Sequence, residues 1–299
     1  MIELKGVTKR YGDLLALDDV GFAVRPGRLT GFVGANGAGK TTAMRILMGV
    51  LRADAGQVLL DGSPLDTATR RRFGYMPEER GLYPKMKVAE QLAYLATLHG
   101  FDRAAADARA RALLDRLGLA SRADDPVESL SLGNQQRAQI AAALVHDPSV
   151  LVLDEPFSGL DPLAVDTVVA VLTEHARRGV PVLFSSHQLD VVERLCDDVV
   201  IIAGGTVRAA GDRDELRAEH GSSRYELAAP GLGWLSAEPG VEVLRAGDDE
   251  AVLTADEPTA QRVLRDALDR GPVRRFAPVV PSLAEIFREV MTDAAEVSR

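Results

Sequence analysis

Apolar and polar positions alternate in Ile2-Glu3-Leu4-Lys5 and in segments of Ala16-Leu17-Asp18-Asp19-Val20-Gly21-Phe22-Ala23-Val24. That period of two predicts half-exposed antiparallel strands. The pattern then becomes continuous: Leu29 to Val33 is apolar throughout and reads as a buried strand, followed by a helix from Ala43 to Met48. Gln57 to Leu60 predicts a short strand closed by Asp61-Gly62, and from about Val88 to Leu119 the period becomes helical. Three apolar strands are expected at Val150 to Leu153, Val180 to Phe184 and Val199 to Ile202, separated by helices near 163–178 and 188–197. Strands alternating with helices imply a parallel sheet covered on both faces. Gly204-Gly205 predicts a hairpin turn.

The character changes near Gly211. Residues 221–255 are rich in loops, with strands expected at Arg224 to Leu227 and Ala251 to Leu253. A helix is expected over 258–270, opened by Pro258 and closed by Gly271, and another from Leu283 to Met291 capped by Ser282. Arg275 to Val280 is a strand candidate, and Trp234 reads as a core residue. This is a small α+β appendage to a larger α/β unit.

Composition narrows the classes. The 299 residues are 46% hydrophobic, enough for a real core, and the net charge is −9 with a pI near 5.2. An acidic balance argues against a nucleic-acid surface, and Arg70-Arg71-Arg72 reads as a short solvated run. The single cysteine, Cys196, excludes an internal disulfide and is expected buried in the 188–197 helix. Charges at Glu3, Lys5, Lys9 and Arg10 argue against a leader, and no apolar run approaches a membrane span. A soluble, cytoplasmic chain is expected.

The chemistry concentrates in Gly34-Ala35-Asn36-Gly37-Ala38-Gly39-Lys40-Thr41-Thr42, which fits the phosphate-loop pattern Gly-x4-Gly-Lys-Ser/Thr between a strand and a helix. Glycines let several backbone N–H groups turn toward one phosphate chain, and the helix start adds a positive dipole end. Lys40 would reach the β- and γ-phosphates and the Thr41 hydroxyl would hold Mg²⁺. Only five lysines occur among 35 Lys and Arg, and one stands here, where a compact ammonium matters. Downstream, Leu151-Val152-Leu153 ends in Asp154-Glu155. Asp154 can hold Mg²⁺ through water, and Glu155 can polarise the attacking water as general base. His187 follows another strand, and strand carboxyl ends converge on the ligand in such sheets, so a γ-phosphate contact is expected.

Together these residues resemble the nucleotide-binding subunit of ATP-binding cassette (ABC) transporters over residues 1 to about 211. Tyr11 sits where the family's adenine-stacking aromatic stands. Leu130-Ser131-Leu132-Gly133-Asn134-Gln135-Gln136-Arg137 matches the family's signature, Ser158-Gly159-Leu160-Asp161 its interface loop, and His187 its switch histidine. The resemblance implies a P-loop NTPase fold with a mixed, mostly parallel core sheet, an antiparallel β subdomain and a helical subdomain at about 82–148. A separate α+β domain would occupy 212–299. It implies ATP and Mg²⁺ as cofactors and ATP hydrolysis as the activity. Two cassettes, identical or different, would pair head to tail, each ATP lying between one Lys40 loop and the other subunit's Ser131, Gly133 and Asn134. Asp161 would cross that interface.

Two departures stand out. Leu132 and Asn134 replace the signature's Gly and Gln, with loss of backbone freedom at 132. Glu78, in Gly74-Tyr75-Met76-Pro77-Glu78, replaces the family's glutamine that senses Mg²⁺ and γ-phosphate; a carboxylate can still ligate Mg²⁺ but adds negative charge. The signature is expected to open a helix at about Asn134 to Val145. The family receives a coupling helix of a separately encoded membrane permease near Gly81 to Lys87. Tyr83 and Met86 are candidates for that contact, the alternative being ordinary core. Pro281-Ser282-Leu283-Ala284-Glu285-Ile286-Phe287 is similar to the end of export-type cassettes, which implies a peripheral place on the inner face of the cell membrane. A soluble non-transport ABC ATPase or a nucleotide-sensing regulator is the competing expectation.

Overall fold

The computed structural model describes residues 1–79, 81–221 and 223–297. Ser222 and residues 298–299 of the expected accessory domain lie outside the described residues. One compact unit comprises Met1–Asp212 together with the chain from Met291 onward, and a second Arg213–Val290.

In chain order the first unit comprises β1 (Ile2–Tyr11), β2 (Leu14–Val24), β3 (Leu29–Val33), α1 (Lys40–Leu47), β4 (Ala55–Leu60), β5 (Ser63–Pro64), α2 (Thr67–Arg70) and β6 (Phe73–Met76). It continues with α3 (Val88–Leu98), α4 (Arg103–Arg116), α5 (Leu132–Leu144), β7 (Val150–Leu153), α6 (Pro162–Arg177), β8 (Val182–Ser186), α7 (Leu189–Leu195), β9 (Asp198–Ala203) and β10 (Thr206–Asp212). Two sheets result. The antiparallel one has the order β2-β1-β4-β5, and the mixed one β10-β9-β3-β8-β7-β6, parallel except for the β9–β10 hairpin. Strands β3, β7, β8 and β9 are buried at every residue, as central parallel strands covered on both faces must be. In β1 the alternation Ile2, Leu4 shifts to Val7 because the register slips around Gly6, whose φ of 63° is left-handed.

The helical period over 88–119 resolves into two helices. Gly100 adopts φ 93° between them, and Asp102 starts α4 by accepting a bond from the Ala105 N–H. Strand β8 begins at Val182, two residues later than expected, and runs on to Ser186. Cys196 is buried but stands just past α7 in extended backbone. Arg70 is not a solvated residue: its Nε donates to the Leu47 carbonyl at 3.0 Å and its Nη1 to the Leu65 carbonyl at 2.9 Å. It thereby satisfies a carbonyl at the end of α1.

The second unit comprises α8 (Arg213–Gly221), β11 (Arg224–Ala228), β12 (Glu242–Ala246), β13 (Glu250–Thr254), α9 (Glu257–Arg270), β14 (Arg275–Pro278) and, up to Val290, the start of α10 (Leu283–Val297). Its antiparallel sheet has the order β12-β13-β11-β14. Leu227, Ala251 and Leu253 on one sheet face pack with Ala260, Val263 and Ala267 of α9. Asp256 accepts from the Thr259 N–H to start α9, one residue before Pro258's predicted opening. Trp234 packs partly against this core, with the Arg270 guanidinium 4.4 Å from its ring centroid. Helix α10 extends past Met291.

Candidate functional site

The order β9-β3-β8-β7 brings three carboxyl ends together: the glycine loop leaves β3, Asp154-Glu155 leave β7 and His187 follows β8. Loop geometry explains two of the glycines. A Cβ at Gly34 would lie 2.5 Å from the Ile202 carbonyl oxygen, and Gly39, at φ 107°, would press one 2.8 Å from the Ala16 carbonyl oxygen. No side chain caps the start of α1, so its first N–H groups remain available to an anion. The buried Lys40 Nζ lies 2.6 Å from the Gly34 carbonyl oxygen and 3.2 Å from that of Ala35, which holds the ammonium in the loop's mouth.

Asp154 is 1% exposed, and three groups fix it. Its N–H donates to the Met76 carbonyl at 2.8 Å, Oδ1 accepts from Ser185 Oγ at 2.5 Å, and Oδ2 accepts from Thr41 Oγ1 at 2.9 Å. Glu155 has φ 51°, a left-handed backbone that costs a non-glycine residue about 1–2 kcal/mol. Two side chains hold it there: Ser185 Oγ accepts its N–H at 2.8 Å, and Gln136 Nε2 donates to its carbonyl at 2.9 Å. The Glu155 carboxylate meets His187, whose Nδ1 lies 2.9 Å from Glu155 Oε2.

A cavity of about 510 Å³ joins these pieces. Tyr11, Leu14, Leu15, Ala16, Asn36, Gly37, Gly39, Lys40, Thr41, Thr42, Glu78, Asp154 and Glu155 line it, with Gly204 and Gly205. An adjoining cavity contains Asn36, Glu78, Gln136, Glu155, Ser158 and His187. Tyr11 is 46% exposed at the cavity's edge, with the Lys9 ammonium 5.7 Å from its ring centroid. Thr41, Asp154 and Glu78 offer only hard oxygen donors, the set that suits Mg²⁺, and a hydroxyl already touching a carboxylate can share one ion with it. Among the described residues no three His, Cys, Asp or Glu side chains form a metal cluster by themselves. Mg²⁺ here would complete its shell from phosphates and water.

Other expected site residues stand outside these cavities. Helix α5 begins at Leu132, two residues before the expected Asn134, because Ser131 Oγ accepts from the Asn134 N–H and caps it. Asn134 Oδ1 accepts from Arg137 Nη2. Asp161 caps α6 by accepting from the Ala164 N–H at 2.9 Å. Gly133 lies against the neighbouring loop: a Cβ there would be 3.2 Å from the Gly159 carbonyl oxygen. Tyr83 is 69% exposed and so is not core, while Met86 is half-buried. Both line a groove with Pro84, Lys85, Tyr94 and Glu128.

Sequence reasoning missed Ser185, Gln136 and Gln139. Their signal was present: polar residues within an otherwise apolar strand end and an Ala-rich helix face must be hydrogen-bonded to be tolerated.

Comparison with known proteins gives a consistent picture. Residues 17–158 match the family model for ABC transporter, and residues 211–291 match that for the C-terminal domain of DrrA1-3-like ATP-binding proteins. The uncharacterized ABC transporter ATP-binding protein YhaQ of Bacillus subtilis (strain 168) is 36% identical over 291 residues, 97% of this chain and 98% of the relative. The Nod factor export ATP-binding protein I of Burkholderia pseudomallei (strain 1710b) is 39% identical over 77% of each chain. Among solved structures, an ATP-binding subunit of an ABC transporter superposes with TM-score 0.68 at 33% identity, covering 74% of this chain and 93% of that one. The dimeric structure of MJ0796, a bacterial ABC transporter cassette, superposes with TM-score 0.66 at 25% identity, covering 71% and 99%.

Proposed function

This chain belongs to the family of ABC transporter ATP-binding proteins, an ATP-hydrolysing subunit, and we propose that it powers export through a separately encoded membrane permease. Residues 1–211 would form the cassette, with its helical part at about 82–148, and 212–299 an accessory domain. Among the described residues no helix is long and apolar enough to cross a membrane. The chain would therefore act as a peripheral subunit on the inner face of the cell membrane. Export rather than import is favoured by the relative named for Nod factor export.

In this reading the backbone of 34–42 and Lys40 bind the phosphates and Tyr11 stacks on adenine. Thr41, Asp154 and Glu78 hold Mg²⁺, which when bound neutralises the charge gathering on the phosphates. The Glu155 carboxylate takes the proton from the attacking water, and His187 orients Glu155 and meets the γ-phosphate. Ser131, Gly133, Asn134 and Asp161 serve the partner cassette's nucleotide, which explains why they stand outside their own chain's cavity. The observation that carries this reading is the constellation of Thr41, Asp154, Ser185, Glu155 and His187 on the mouth of the glycine loop.

The test is isolation of the full chain from detergent-solubilised membranes, with ATP turnover measured on the product. Co-purification with a multi-span subunit and Mg²⁺-dependent turnover are the expected results. A chain that never associates with such a subunit overturns the transport role; a complex that never turns over ATP overturns the assigned chemistry.

A further inference from the structure

Helix α5 carries two buried glutamines one turn apart, and each is spent on the backbone of an acidic segment. Gln136 holds the Glu155 carbonyl, as described. Gln139 is 5% exposed, and its Nε2 donates to the Pro77 carbonyl at 2.8 Å and to the Glu79 carbonyl at 3.1 Å. Both hydrogens of one amide are thus used on the residues flanking Glu78. Helix packing does not need an amide at this position: its neighbours Ala138, Ile140 and Ala141 are apolar and buried, and a buried amide is costly unless bonded. Removing it would strip the bonds that fix the chain on both sides of Glu78, while leaving the Glu78 side chain untouched.

We propose that Gln139 is the positioning residue for Glu78, clamping the Pro77–Glu79 backbone so that this carboxylate faces the metal side of the nucleotide cavity. The inference rests on the assignment of Glu78 to the metal made above. Its consequence is a preference for metal-loaded over metal-free nucleotide. A fixed anion beside the phosphates repels the bare polyphosphate and favours the form carrying Mg²⁺. A carboxylate whose backbone is released from its clamp spends less time turned toward the cavity and discriminates less.

The experiment is a double-mutant cycle on the full chain, read by calorimetric binding of a non-hydrolysable ATP analogue with Mg²⁺ and with EDTA. The quantity followed is the dissociation constant in EDTA divided by that in Mg²⁺, which is large when metal-loaded nucleotide is preferred. Glu78→Gln should lower that ratio by roughly tenfold. Gln139→Met, close in volume and unable to donate, should lower it by about threefold to tenfold, yet change it by less than about twofold when Glu78→Gln is already present. Gln139→Asn, whose amide falls short of the carbonyls, replaces Gln139→Met in the same cycle if the methionine variant does not fold. A purely structural role for Gln139 gives equal effects in both backgrounds and overturns the inference while leaving Glu78 at the metal. An unchanged ratio in Glu78→Gln removes the metal assignment of Glu78 itself, and the inference with it.

Discussion

The two units of this chain bury different things. Among the described residues, every buried polar or charged side chain except Thr259 lies within Met1–Asp212: Lys40, Gln91, Gln136, Gln139, Asp154, Ser185 and Asp198 among them. The core of Arg213–Val290 is built from Leu, Val and Ala. A buried polar group destabilises unless bonded, so a fold accumulates such groups where chemistry requires them and omits them where packing suffices. The contrast separates a unit whose interior carries bonded polar groups, those of the nucleotide site among them, from one whose described core is packed almost wholly with apolar side chains.

The sharpest way to break that contrast is at Glu155. Glu155→Gln keeps the shape and removes the base, and turnover should fall by about 10²–10⁴-fold. Size-exclusion of this variant should show an ATP-dependent dimer, because bound nucleotide is no longer consumed. Turnover near wild type would return Glu155 to the status of a strained loop residue. Next in size is Leu253→Ala in the second unit. Leu253 is fully buried, and the truncation should cost about 2–5 kcal/mol in denaturant unfolding of that unit. Affinity for ATP should stay within about twofold, since the residues that line the nucleotide cavity all belong to Met1–Asp212. A large loss of nucleotide binding would show that the two interiors are not independent.

Ser185→Ala tests the polar side of the comparison more finely. It leaves the Glu155 N–H and Asp154 Oδ1 without their shared partner, and kcat should drop by about tenfold to a hundredfold, the kinetic equivalent of 1.4–2.7 kcal/mol. KM should change little, because the Ser185 hydroxyl bonds to Glu155 and Asp154 and not to the backbone of the glycine loop that binds phosphate. An equal rise in KM would mean that Asp154 had moved with it.

What was legible in the sequence follows the same division. The loop at 34–42, the carboxylates at 154–155 and the parallel strands could be read because local spacing and buried apolar runs encode them. The start of α5 at Leu132 could not be read from hydrophobic period, since Ser131, Leu132 and Gly133 carry no stripe; the cap decides it. Arg70 was misread because its partners, the Leu47 and Leu65 carbonyls, are set by the end of α1 and a loop. The roles of Ser185 and Gln139 depend on which backbone atoms another strand or segment brings opposite them, and spacing along one chain holds no such information. Helices α9 and α10 of the second unit were legible because Pro258 and Ser282 mark them locally; α8 was not, since Leu216 is the one apolar side chain it buries and no stripe announces it.

The smallest effect concerns a polar pair in the first unit that lies outside the nucleotide cavity. His146 stacks on His99 with ring centroids 3.8 Å apart, and its Nε2 lies 3.1 Å from the Phe73 carbonyl oxygen. Burial, then the charge of His99, pushes His146 down to about 4. Burial also lowers His99 and His175. A base whose folded value lies below its unfolded one stays neutral in the fold, so its stabilisation is complete above about pH 6.5 and is lost as the pH falls toward 4. The carboxylates held low by their partners, Asp54, Asp66, Asp256 and Glu285, respond at lower pH, so the window from about 6.5 down to about 4.5 belongs to the histidines. Chemical unfolding of the first unit should weaken across that window, with His146 contributing about 1–2 kcal/mol after allowance for its partial exposure to solvent. His146→Gln, which keeps a donor for the Phe73 carbonyl, should flatten the slope. An unchanged slope would assign the acid sensitivity to His99 and His175 instead, and would remove His146 from the set of polar groups that this unit's interior holds neutral.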